Sequence, residues 1–168
     1  MAATQSFDVT VGCDLQEVDN AVNQAMKEIT QRYDFKGLKV AIELKRAENQ
    51  IVLTGPDDFK IKAMWEVLQT KLVRRNVPLR NLDLGSILPA AGGTVRQEIA
   101  LQQGIPTETA REIVKFVKDR KLKKVQVAIQ ADQVRVSSPS RDELQGVMKL
   151  LREHDFGMEL KFGNFRSQ

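Results

Sequence analysis

Apolar residues over the first ninety positions follow two periods in turn. Phe7, Val9 and Val11 occupy every second place, with Asp8 and Thr10 between them, as in a half-buried strand. Asp14 and Glu17 then stand at the D-x-x-E spacing of a helix start, and Val18, Val22, Met26, Ile29 and Tyr33 follow at helical period. Strands are predicted near 38–44 and 50–54, on either side of the polar turn Lys45–Asn49. Asp57 opens a second helix reaching about Val73, and a weak strand around Leu79–Leu84 closes the series.

The same order of elements returns. A strand is predicted at 95–101, a helix at about 107–119, and strands at 124–130 and 133–137. A helix runs from the Ser140-x-x-Glu143 box to Arg152, and a last strand spans about 158–163. Gln50–Pro56 lies over Gln133–Pro139, and in that register Ile61, Met64, Trp65 and Leu68 fall on Leu144, Val147, Met148 and Leu151. Upstream, Val40-Ala41-Ile42 matches Val127-Ala128-Ile129. Each copy, about 80 residues long, reads strand, helix, strand, strand, helix, strand. Two helices with one apolar stripe each must pack on one face of a four-stranded sheet, and the order βαββαβ is that of the ferredoxin-like sandwich. The expectation is an α+β chain of two ferredoxin-like domains from an internal duplication, residues 1–88 and 89–168. The linker is placed at about 85–94, where Pro89 and Gly92-Gly93 fall.

Composition narrows the function classes. With 168 residues, 42% apolar and 29% charged, the chain belongs with globular proteins able to bury a core. Asp8 stands where a secretory signal would be basic and then apolar, and no apolar stretch reaches the ~20 residues of a membrane span. The single cysteine, Cys13, excludes an intramolecular disulfide and suits a reducing compartment, so the protein reads as cytoplasmic. With His154 the only histidine, a zinc site, a Cys-His dyad or a His-based triad would each rest on one residue. Neither G-x-x-x-x-G-K nor G-x-G-x-x-G occurs, which argues against a P-loop hydrolase or a Rossmann dehydrogenase. Hydrolytic and metal chemistry are therefore poor first guesses, no cofactor is expected, and an enzyme is the least favoured class for want of a nucleophile-base-orienter set.

Net charge is +4, and its placement matters more than its size. Residues 1–88 hold twelve basic and twelve acidic side chains, so the excess lies in the second copy. There Lys115, Lys118, Arg120, Lys121, Lys123 and Lys124 face one acid, Asp119. Two readings stand: cations solvating a helix C-terminus, or a patch that binds the phosphates of RNA. The third strands, Gln50–Thr54 and Gln133–Ser137, carry no aromatic residue, which removes the stacking platform of RNA-recognition modules. Arg135 takes the outward parity between Val134 and Val136, either as a solvated strand arginine or as a phosphate contact.

Particular strings resemble the YajQ family of bacterial proteins. They are Ser6-Phe7-Asp8, Tyr33-Asp34-Phe35-Lys36-Gly37, Gln103-Gly104-Ile105, Ser140 to Gln145, and Phe162-Gly163-Asn164-Phe165-Arg166, in family order over nearly the whole chain. The resemblance implies two ferredoxin-like domains that exchange their first strands, so that strand 7–11 pairs in the second domain. It implies a nucleotide-binding protein rather than an enzyme, with cyclic di-GMP, another guanine nucleotide such as GTP, or RNA as ligand. The leading reading is a regulator that signals to a protein or DNA partner, such as a transcriptional regulator; the alternative is an RNA-binding or ribosome-associated protein using the basic C-terminal domain. Side-chain chemistry then nominates Asp34, Phe35, Lys36, Arg141, Phe165 and Arg166 as nucleotide contacts. Phe and Arg planes stack on guanine, a carboxylate accepts from its N1 and N2 hydrogens, and Lys or Arg meets phosphate. Lys115, Lys118, Lys121, Lys123 and Lys124 are the candidate nucleic-acid contacts.

Overall fold

The computed structural model describes residues 4–167. Their elements run β1 (Gln5–Thr10), α1 (Leu15–Gln31), β2 (Ala41–Lys45), β3 (Gln50–Gly55), α2 (Asp58–Arg74) and β4 (Leu82–Pro89). There follow β5 (Val95–Leu101), α3 (Thr107–Asp119), β6 (Gln126–Gln130), β7 (Gln133–Ser138), α4 (Arg141–Glu153) and β8 (Lys161–Ser167). The strands form two four-stranded antiparallel sheets, ordered β2-β3-β5-β4 and β6-β7-β1-β8. The chain divides into a continuous unit, Gly12–Gln103, and a split unit made of the described residues up to Val11 together with those from Gly104 onward. The spatial units thus cut across the two expected copies. β1 pairs with β7 and β8 late in the chain, while β5, expected as the first strand of the second copy, pairs with β3 and β4. Among the described residues no helix is long and apolar enough to cross a membrane.

In the continuous unit, the Asp14 carboxylate caps α1 by accepting from the Gln16 and Glu17 amides at 3.0 and 3.4 Å. The Glu17 carboxylate does not return to the cap; it lies 3.6 Å from Arg75. Asp57 caps α2 through the Lys60 amide at 2.8 Å. Val18, Ala21 and Ile29 of α1 and Ile61, Met64 and Leu68 of α2 are fully buried with Ile51, Leu53 and Ile99 of the sheet. Cys13 belongs to the same core, its thiol donating to the Asn81 carbonyl at 3.9 Å.

Half of the segment expected as a linker, 85–94, is strand, and Ala91–Gly93 form a 3-10 turn. β4 extends to Pro89 and pairs with β5 from Leu82 opposite Leu101 to Pro89 opposite Val95, with a bulge between Leu84 and Ile87. Gly85 permits the bulge, because a Cβ there would stand 2.8 Å from the Glu98 carbonyl oxygen, and Gln97 donates to the Gly85 carbonyl at 2.8 Å. Glycine and proline, which punctuate loops, are also the residues of a bulged edge strand.

In the split unit, Phe7 and Val9 of β1 and Val134 and Val136 of β7 pack against Ile113 of α3 and Val147 of α4, all fully buried. Ser140 Oγ caps α4 by accepting from the Glu143 amide at 3.3 Å, as its S-x-x-E spacing predicts. Gly104 donates to the Val11 carbonyl at 2.7 Å, and Ile105 to the Asp132 carbonyl at 2.8 Å. Gly104 holds φ at +81°, and a Cβ there would stand 2.5 Å from an Asp132 carboxylate oxygen. Gly104→Ala is therefore expected to cost about 1–3 kcal/mol, measured as a lower urea midpoint. An unchanged midpoint would mean that the strain is relieved locally.

Candidate functional site

The bulged end of β8 shapes one wall of a concavity in the split unit. Asn164 sits in left-handed backbone, φ +54°, and the pairing of β8 with β1 shifts register between Ser6 and Asp8. Beyond that shift, Ser6 faces Arg166 and Gln5 faces Ser167. A cavity of about 380 Å³ opens there, lined by Gln5 and Ser6 of β1, Phe165, Arg166 and Ser167 of β8, and Arg141, Leu144, Gln145 and Met148 of α4. Three nominated residues, Arg141, Phe165 and Arg166, share this lining. Phe165 is 65% exposed, its ring 6.3 Å from that of the fully buried Phe7.

Beneath β8 lies a charge network. Asp8 is 3% exposed and accepts from Arg135 Nε at 2.9 Å, from Arg135 Nη2 at 3.5 Å and from the Asn164 amide. The Arg135 guanidinium holds the Asp8 carboxyl below its ordinary range; burial opposes this, while the Asn164 hydrogen bond and the nearby charge of Arg166 add to it. Arg135, open to two readings in sequence, is thus the partner of Asp8 across the β1–β7 ladder. Asp8 and Asn164 together tie down the strand that carries Phe165 and Arg166.

The cavity supplies the chemistry of phosphate and base recognition. Two guanidinium groups present flat donor forks, the Phe165 ring offers a stacking face, and the Gln5 and Gln145 amides bring donors and acceptors. Gln5, Ser6, Gln145 and Met148 were not nominated as nucleotide contacts in sequence. A usable signal existed in Arg141, Gln145 and Met148, which follow at i, i+4 and i+7 on one face of α4.

Asp34, Phe35 and Lys36 belong to the continuous unit, on the 3-10 turn after α1. Asp34 is exposed but engaged: Arg32 donates to its two carboxylate oxygens at 3.0 and 2.9 Å, and Lys60 donates to its carbonyl at 2.7 Å. The Arg32 hydrogen bond is the main cause that lowers the Asp34 carboxyl below its ordinary range. The expected stacking role of Phe35 is corrected by its position. The ring is 4% exposed within the core, with Lys60 Nζ 4.9 Å and Arg32 Cζ 5.2 Å from its centre. Because α1 stops at Gln31, the buried stripe does not extend to Tyr33, which is 86% exposed, and Lys36 Nζ lies 5.8 Å from its ring. Lys115 and Lys118 on α3, and Lys121, Lys123 and Lys124 on the turn after it, are all exposed.

A family model described as "Nucleotide-binding protein YajQ-like" matches residues 5–166. A protein of Solibacter usitatus named "Nucleotide-binding protein" is 52% identical over 162 residues, 96% of this chain and 97% of that protein. One of Carboxydothermus hydrogenoformans with the same name is 52% identical over 166 residues, 99% of this chain and 100% of that protein. A third, of Trichlorobacter lovleyi, is 50% identical over 161 residues, 96% and 98% of the two chains.

Proposed function

The chain belongs to the family of YajQ-like nucleotide-binding proteins, and from that membership we propose that it binds a guanine nucleotide, cyclic di-GMP foremost, in the cavity between β8 and α4. The observation that carries this reading is the meeting of Arg141, Arg166 and the exposed Phe165 ring in one cavity. The guanidinium groups take phosphate oxygens and the ring takes a purine face. Asp34 is left out because Arg32 and Lys60 already occupy it. Phe35 is left out for its burial, and Lys36 because it is not among the residues that line this cavity.

The lining of cations, amides, hydroxyls and a ring binds and orients a ligand. No carboxylate, imidazole or thiol is among these lining residues. We read the function as recognition, in a regulator whose occupancy is read by a protein or DNA partner. RNA held along Lys115, Lys118, Lys121, Lys123 and Lys124 is the alternative. The fold reading follows the same line. With β1 and β5 taken as first strands, the sheet orders β8-β1-β7-β6 and β4-β5-β3-β2 share one plan, which supports duplicated ferredoxin-like domains with exchanged first strands.

The test is calorimetric titration of cyclic di-GMP and GTP into the wild-type chain and Arg166→Ala. Loss of one charge-assisted hydrogen bond, about 1.5–3 kcal/mol, should weaken binding roughly tenfold to a hundredfold. Thermal melts of the two should coincide, because Arg166 is exposed. Equal affinities would remove Arg166 from the site, and no binding by the wild type would reject guanine nucleotides as ligands.

A further inference from the structure

Sheet edges present unpaired backbone amides and carbonyls, and natural proteins protect them with charged residues, proline, bulges or short strands. Three of the four edges here carry such protection. β2 has Glu43 and Lys45, β4 has its bulge and Pro89, and β8 has its register shift with Lys161 and Arg166. The fourth, β6, reads Gln126-Val127-Ala128-Ile129-Gln130 and pairs with β7 in unbroken register. It is short, but carries no charge, proline or bulge, and Ile129 is 42% exposed. The two-residue connection Ala131-Asp132 makes Gln130 and Gln133 the closing pair, so antiparallel alternation turns the amides of Val127 and Ile129 toward the free edge.

That edge borders a groove. A cavity of about 430 Å³ lies between β6 and the end of α3, lined in part by Val117, Leu122, Val125 and Val127 with Lys118 and Lys121. A free strand edge beside a helix, with an apolar floor between them, is the geometry that accepts an extended peptide as an added strand. The surrounding charge selects the peptide. Lys115, Lys118, Lys121, Lys123 and Lys124 are exposed, and none has an ion-pair partner among the described residues. A second copy of this chain would bring the same lysines against these, a like-charge pairing that disfavours it.

We propose that β6 and the α3 groove form a docking site for an extended acidic segment of a partner protein, which adds as a fifth strand. Apolar and acidic side chains share the groove-facing positions of the segment, the apolar ones covering the floor and the carboxylates meeting Lys118 and Lys121, which line the same groove. RNA would be served by the lysines alone and would leave the edge amides and the apolar floor unused.

The test uses the full chain and amide hydrogen exchange followed by NMR. The probes are the capped hexapeptide Val-Val-Glu-Glu-Val-Val, which presents both residue types on either face, its counterpart with Lys in place of Glu, and a twelve-nucleotide oligouridine. The acidic peptide should slow exchange of the Val127 and Ile129 amides at least tenfold, and the basic peptide should not. Ile129→Pro removes an outward amide at a position where an edge strand tolerates proline, and should weaken the acidic peptide at least tenfold. Lys118→Glu with Lys121→Glu, both at exposed positions that leave the core intact, should do the same. Failure of the acidic peptide to protect these amides would overturn the proposal. So would equal protection by both peptides, or oligouridine engaging the lysines where the acidic peptide does not bind.

Discussion

Phe7→Ala is expected to destabilise the split unit by about 3–5 kcal/mol, the cost of emptying a fully buried aromatic site. Phe7 is 0% exposed on a strand with neighbours on both sides, opposite Val136, and its ring meets Phe162 edge-on at 5.9 Å and Phe165 at 6.3 Å. Truncation leaves a void among β1, β7 and α4 that β-branched Val9, Val134 and Val136, limited in their rotamers, are poorly shaped to fill. The measurement is urea unfolding by circular dichroism, with loss of exchange protection at Val134 and Val136 as the local readout. Trp65, the single tryptophan, lies in the continuous unit and reports on that unit by fluorescence. The Phe165 ring also loses its backing, so nucleotide affinity should fall in the same variant even where the chain remains folded. A loss below about 1 kcal/mol would mean that the site collapses around the missing ring.

What was legible in the sequence was local. Asp14 and Ser140 announced their helices by spacing, because a cap and the amides it satisfies lie within one turn. The alternation of Phe7 and Val9 marked a strand whose two apolar residues are both buried. The strand at 82–89 was obscured because Gly85, Pro89 and the bulge break the two-residue period that betrays a strand. The choice of Phe35 over Tyr33 turned on where α1 ends. Stopping at Gln31 and entering a 3-10 turn sends Tyr33 to solvent and Phe35 to the core, a reversal that helical period cannot signal. The candidate site needed knowledge that local pattern does not hold. Ser6 meets Arg166 only through a pairing of strands 160 residues apart, in a register set by a bulge. Asp8 and Arg135 likewise looked like outward polar positions on separate strands until the ladder joined them.

Asp8→Asn is the substitution that tests this hidden network, and it should lower stability at pH 7 by about 2–3 kcal/mol through loss of charge-assisted hydrogen bonds. The side chain keeps its shape, so packing is not at issue. An amide oxygen can still accept from Arg135, but the Asn164 carboxamide must turn over to accept from the new NH2 group, and the Arg135 charge loses its counterion. The pH dependence separates this cause from a general loss of order. The Asp8 carboxyl is held below its ordinary value of 3.8, so its stabilisation is complete above that value and drains away as pH falls through the lower folded value. Wild type and Asp8→Asn should therefore differ most at neutral pH and converge in acid, with the wild-type urea midpoint falling more steeply below about pH 4. Parallel curves down to acid would show that the Asp8 charge contributes nothing. Because Asn164 exchanges a charged acceptor for a neutral amide in the variant, the strand carrying Phe165 and Arg166 is held less firmly at the mouth of the cavity. Cyclic di-GMP titrated into Asp8→Asn at pH 7 should bind more weakly than into the wild type, although residue 8 does not line the cavity. Unchanged affinity would mean that pairing of Ser6 with Arg166 alone is enough to hold the site.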